Sequence, residues 1–130
     1  MKFLKISLLI VVTVFTFVEV ISQQEIFLKR IEFLLDARSD IEYENEQFIT
    51  IKFNKGATYI FKVKNHIDDY AGEAVIELLD ADNLIMTNST TEKYYSAMAF
   101  QCQKTAFYDI LIKFKDQKLG NSQIDILMRQ

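Results

Sequence analysis

The stretch TAFYDILIKF, residues 105–114, alternates apolar with polar side chains so that Ala106, Tyr108, Ile110, Ile112 and Phe114 fall on one side. A repeat of two sends successive side chains to opposite faces of an extended chain, and one apolar face marks a strand half-buried in a sheet. Such a strand needs neighbours to pair with and a second layer to cover its apolar face. The rest of the chain reads as supplying both.

Downstream, a turn through Gly120 leads to residues 122–128, which set Ile124, Ile126 and Met128 against Gln123, Asp125 and Leu127. Upstream, residues 94–102 read as a strand with an aromatic start, and Lys104 opens the turn into 105–114. Residues 74–79 and 84–87 are two more strands, joined by Asp80, Ala81, Asp82 and Asn83, where Asp and Asn side chains cap their own backbone. Residues 48–53 and 58–64 read as a hairpin closed by Asn54, Lys55 and Gly56, the glycine supplying a positive φ. Ile49, Ile51 and Phe53 line one face of its first strand and Tyr59, Phe61 and Val63 one face of its second, with Phe48 and Ile60 out of phase. About seven strands spaced about ten residues apart predict an all-β antiparallel sandwich over residues 47–130. The chain has no Pro and only 3 Gly, which favours short loops and leaves little room for a loop-built active site.

The N-terminal part has a different pattern. Lys2 and Lys5 precede an apolar run over residues 6–18 that Glu19 interrupts, the pattern of a secretory signal peptide spanning residues 1–22. Val20 and Ser22 suit the minus-three and minus-one positions, placing the cut before Gln23, with no Cys nearby to take a lipid. A retained membrane anchor is the rival reading, disfavoured because the run falls short of the roughly 17 to 25 residues a spanning helix needs. Residues 23–46 are then a helix and an acidic linker. Phe27, Leu28, Ile31, Leu34 and Leu35 recur at helical spacing and predict a short amphipathic helix over residues 24–36, a lid on an open end of the sandwich or a docking face for a partner. Asp40, Glu42, Glu44 and Glu46 follow, in opposite phase to Ile41 and Tyr43. They guard a sheet edge by repulsion or, in a second reading, gather oxygen ligands for a cation.

Charge and chemistry exclude several classes. Loss of residues 1–22 removes two lysines and one glutamate, turning 15 basic and 18 acidic residues into 13 and 17, a balance poorly suited to nucleic acid. Cys102 is the one cysteine, so no internal disulfide forms, and its phase with Met98 and Phe100 predicts a buried small hydrophobe. One Cys and one His leave no basis for a zinc site or Cys-His catalysis. His66 lies in a polar loop with no nucleophile motif nearby, which reads as a solvated side chain.

The candidate binding residues are few. Tyr70, Tyr94 and Tyr95 are the aromatic candidates for a glycan or other small ligand. Asp80, Asp82 and Asn83 are the candidate calcium ligands, without the loop length or closing Glu of an EF-hand; no cofactor is expected otherwise. Glu73 with Glu77, or Asp68 with Asp69, are carboxylate pairs of the kind glycoside hydrolysis uses, but nothing singles out either. Asn88, Ser89 and Thr90 form an N-glycosylation sequon, relevant only in a eukaryotic secretory pathway.

Tyr59, Phe61 and Val63, then residues 74–80 with Asp82 and Asn83, then Phe100, Lys104, Thr105, Tyr108 to Ile112, and finally Ile124 and Ile126 together resemble the pre-peptidase C-terminal domains of secreted bacterial proteins. More distantly the pattern is similar to the GOLD domain. The resemblance covers residues 47–128 and rests on strand pattern; Ala106 stands where that family usually has Gly, and Phe107 is an extra residue before Tyr108. It implies a jelly-roll-like, non-catalytic accessory or recognition domain, with any calcium on Asp80 and Asp82. The expectation is therefore a secreted or periplasmic module that is not an enzyme and binds an envelope or extracellular protein. A carbohydrate or other small ligand is the alternative, and membrane contact comes only through the transient signal peptide.

Overall fold

The computed structural model describes residues 24–37 and 46–130. Residues 1–22, read above as a signal peptide, and the acidic residues Asp40, Glu42 and Glu44 lie outside the described residues, whereas Glu46 opens a strand. Among the described residues there are eight strands: β1 (Glu25–Leu35), β2 (Glu46–Phe53), β3 (Thr58–Lys64), β4 (Ala74–Asp80), β5 (Asn83–Thr87), β6 (Ala97–Gln101), β7 (Ala106–Phe114) and β8 (Gly120–Arg129). They form two four-stranded antiparallel sheets, A in the order β1-β8-β3-β6 and B in the order β2-β7-β4-β5. β1 pairs with β8, β2 with β7, β3 with β6 and β4 with β5, as the two arms of one long hairpin would if it were folded over on itself.

The alternation of residues 105–114 is realised in β7. Tyr108, Ile110, Ile112 and Phe114 are buried, and Ala106 packs at the margin of the same core. Phe61 and Ile126 of sheet A and Phe53, Ile76 and Leu78 of sheet B complete a continuous core between the sheets. Each large side chain withdrawn from water contributes roughly 1.5–3 kcal/mol. Aromatic rings gather toward the two ends. Phe53 stacks on Tyr59 at 3.9 Å and meets Tyr108 at 5.7 Å, while Phe33 stacks on Phe114 at 4.7 Å.

Two sequence expectations change. The helix over residues 24–36 is instead strand β1, paired along its length with β8 from Glu25 opposite Arg129 to Leu35 opposite Gly120. Its buried residues, Ile31, Phe33 and Leu35, alternate. The helical spacing came from Phe27, Leu28 and Leu34, which are about half exposed, and from a β-bulge at Leu28 that shifts the alternation by one residue. A full-length partner strand overrides so weak a local pattern. No α-helix occurs among the described residues.

The second change concerns residues 48–64, which make two strands but no hairpin. β2 joins sheet B and β3 sheet A. Gly56 does adopt φ 93°, yet the turn bonds across to the β6–β7 connection, Gly56 N–H donating to Cys102 O and Cys102 N–H to Ala57 O, both at 3.0 Å. The apolar faces of β2 and β3 thus face each other across the sandwich. Of the two out-of-phase residues, Phe48 is exposed on the outer side of sheet B, and Ile60 is buried in the outer row of sheet A beside Leu127.

The outer side of sheet A is tied by charge. Arg30 grips Asp125 through two bonds, Nε at 2.8 Å and an Nη at 3.1 Å, which hold that carboxyl below the usual carboxylate range. Glu25 accepts from Arg129 at 2.7 Å and from Lys62 at 3.3 Å.

Candidate functional site

The connections β3–β4, β5–β6 and β7–β8 lie at the end of the sandwich where β1 finishes and β2 begins. A cleft of about 500 Å³ opens there. Leu35, Phe114 and Leu119 give it apolar surface, Val75 and Leu84 come from the outer side of sheet B, and Glu46, Lys113 and Lys115 stand around it. Lys113 is spent on Glu77, Nζ to Oε1 at 3.1 Å, so this carboxylate is held in an ion pair. Lys115 is positioned by its backbone N–H, which donates to Glu73 O at 2.9 Å. An apolar floor with cations and carboxylates at its rim suits a small amphiphilic molecule.

Beside the cleft lies a buried polar network. β5 pairs with β4 only as far as Glu77 opposite Thr87, which leaves the backbone of Ala74 and Ile76 without a strand on that side. Side chains complete the ladder. Asn88 Oδ1 accepts from Ile76 N–H at 2.7 Å, and its Nδ2 donates to Ala74 O at 3.1 Å and to Tyr95 O at 3.0 Å. Asn65 Oδ1 accepts from Ala74 N–H at 2.9 Å and from Ser122 Oγ at 2.7 Å, and Asn65 Nδ2 donates to the Tyr94 hydroxyl at 2.8 Å. Tyr94 in turn donates to Ala74 O at 2.6 Å, and burial raises its phenol pKa. Every buried side-chain nitrogen and oxygen among the described residues has a partner, so this network is satisfied within the chain.

The structure distributes the sequence candidates widely. Tyr70, Tyr94 and Tyr95 sit at the cleft end, on the β3–β4 and β5–β6 connections, but none lines the cleft. Tyr94 has its hydroxyl inside the network, whereas the Tyr95 ring is half exposed. Asp80, Asp82 and Asn83 lie at the opposite end, where Lys104 Nζ sits 2.9 Å from Asp80 Oδ2. Among the described residues no three His, Cys, Asp or Glu gather where they could hold a metal ion. Asp68 accepts from Asn121 Nδ2 at 3.3 Å, and His66 is exposed with φ 61°. Cys102 is buried, its Sγ donating to Lys104 O at 3.2 Å.

Asn65 and Asn88 carried no sequence signal for their roles. Ser122 did carry one, since it shares the phase of Ile124 and Ile126 and so had to point inward. The sequon at Asn88 falls on a side chain only 1% exposed with both amide hydrogens committed, so the folded chain presents no acceptor there.

On the outer side of sheet B the pattern is different. Phe48, Phe107 and Leu84 are 60%, 67% and 56% exposed. Register places Phe48 beside Leu111 and Leu84 beside Leu79, with Glu77 opposite Leu111 and Asp109 opposite Leu79, so these apolar side chains stand among charged ones. Comparison with protein-family models gives no match, and comparison with curated proteins gives none either. Among the described residues no helix is long and apolar enough to cross a membrane.

Proposed function

We propose that this chain is an exported, non-catalytic binding module, secreted or periplasmic, that recognises a protein partner through the outer side of sheet B. The observation that carries this reading is the pair of phenylalanines, Phe48 and Phe107, standing largely in solvent on one face. Exposed aromatic side chains are frequent anchors of protein recognition. The folded-hairpin strand order supports describing the sandwich as a jelly roll, an architecture that hosts many recognition modules. The strand pattern resembling pre-peptidase C-terminal domains falls on β3 to β8, which supports the accessory-module reading, though fold likeness alone says little about function.

The test is capture of a partner from envelope extract of the source organism by the tagged chain, compared with its Phe48→Ser/Phe107→Ser variant. Loss of one retained protein with unchanged melting supports the reading, and equal retention by both sinks it. The cleft favours a second reading, a carbohydrate or other small-ligand module. Its test is a glycan screen followed by resonance mapping, where shifts confined to Lys115, Leu119 and their neighbours would locate the ligand.

A further inference from the structure

Among the described strands, four edges lack a hydrogen-bonded neighbour: β1 and β6 in sheet A, β2 and β5 in sheet B. An open edge is a template for pairing with another chain, and proteins blunt such edges with bulges, short length or charge. β1 has its bulge at Leu28 followed by Lys29, Arg30 and Glu32. β5 is 5 residues long with a register shift, and β6 is also 5 residues long. β2 has neither a bulge nor a short length, and its charges, Glu46 and Lys52, stand only near its ends. Its 8 residues run in unbroken register with β7, without Pro or Gly, and its uncharged centre includes the β-branched Ile49, Thr50 and Ile51.

Charge appears only near the ends of β2, with opposite signs. Glu46, Phe48, Thr50 and Lys52 share the outer side and are exposed. A half-turn about an axis normal to the sheet, just outside the β2 edge at the level of Ile49, lays Glu46 against Lys52 of a second copy and Lys52 against that copy's Glu46. Phe48 then faces Thr50 of the second copy. A slip of one residue turns every side chain to the wrong face, and a slip of two in either direction parts Glu46 from Lys52, so the charges select one register.

We propose that the open edge of β2 pairs antiparallel with the same edge of a second copy, Ile49 facing Ile49, joining two B sheets into one eight-stranded sheet. The pairing goes beyond partner recognition and brings the two exposed Phe48 rings to either side of the axis, so the outer sides of both B sheets form one surface.

Sedimentation equilibrium of the full chain over a range of concentrations tests this. The expected result is a monomer–dimer equilibrium in which Glu46→Lys and Lys52→Glu each weaken association about tenfold, since each sets like charges opposite one another twice. The variant carrying both reversals restores it to within about threefold. Both positions are exposed, and unchanged melting of each variant shows that folding is intact. Phe107→Ser, on β7 one strand in from the edge and opposite Lys52, removes no group from the paired edge and leaves the dimer in place, so failure of partner recognition and failure of self-pairing are told apart. A monomer at every concentration, a dimer indifferent to both single reversals, or a double variant that stays weakened overturns the proposal.

Discussion

Asn88 completes the ladder of Ile76. The side-chain amide takes the Ile76 N–H at 2.7 Å and gives a hydrogen to Ala74 O at 3.1 Å, occupying the place a strand would fill beyond the end of β5. The Asn88 backbone N–H still reaches Ile76 O at 3.4 Å, and its side chain carries the ladder on from there.

Replacing Asn88 therefore exposes a defect in the sheet. Asn88→Ala is expected to lower stability by about 2–3 kcal/mol, because the Ile76 donor is left buried without a partner. Asn88→Asp keeps the acceptor but loses both donors and buries a charge, and should be at least as damaging. Urea midpoints read both effects. In a eukaryotic secretory host, intact-mass measurement of the folded protein should show no glycan at Asn88.

Gly120 is a close-approach glycine. A Cβ there would fall within the ring of Phe114, which stacks on Phe33 at 4.7 Å. Gly120→Ala is expected to cost about 1–3 kcal/mol by overpacking. Combining it with Phe114→Leu should cost less than the sum of the two single changes, as thermal melts of the four proteins would show.

Ala81 occupies the turn between β4 and β5 with φ 54°, where an L side chain is crowded against its own backbone. Glycine relieves that crowding at some loss of chain entropy. Ala81→Gly is expected to stabilise by about 0.5–1 kcal/mol, measured as a raised urea midpoint.

Tyr108 gives the protein an alkaline limit. Burial pushes its phenol up to about 12, with the neighbouring Cys102 adding to the effect, and its hydroxyl donates to Lys104 O at 2.6 Å. The unfolded chain releases this proton near pH 10. The contribution is therefore complete below about pH 10 and is lost as pH rises through about 12, because the unfolded state there binds fewer protons. Tyr108→Phe should lose about 1 kcal/mol at neutral pH and show a flatter fall in stability above pH 10. Denaturant titrations at pH 7 to 11 check both.

The alternation of β7 and β8 and the Asp-Asn turn after β4 were legible because each depends on neighbours in sequence and on a period set by the pleat. β1 was not. A bulge and three apolar residues left on the surface imitated a helical stripe, and its true partner lies about a hundred residues away. Turn chemistry at Gly56 told where the chain reverses but not which sheet it enters next, since nothing local encodes a crossing between layers. The polar network was unreadable for a related reason. Asn65 and Asn88 matter only because β5 pairing stops at Glu77, before it reaches Ile76 and Ala74.

The position of β8 between β1 and β3 sets a schedule for folding. Of the eight strands it is the last to leave the ribosome, yet β1, the first, has no other partner in its sheet. Until residue 129 has emerged, sheet A consists of β3 with β6 and an orphaned first strand. The fold cannot be assembled vectorially from its beginning. It must close in one late step that joins distant parts of the chain, and for such topologies that step takes on the order of milliseconds to seconds. In that interval the chain has unpaired strands exposed and can be lost to aggregation.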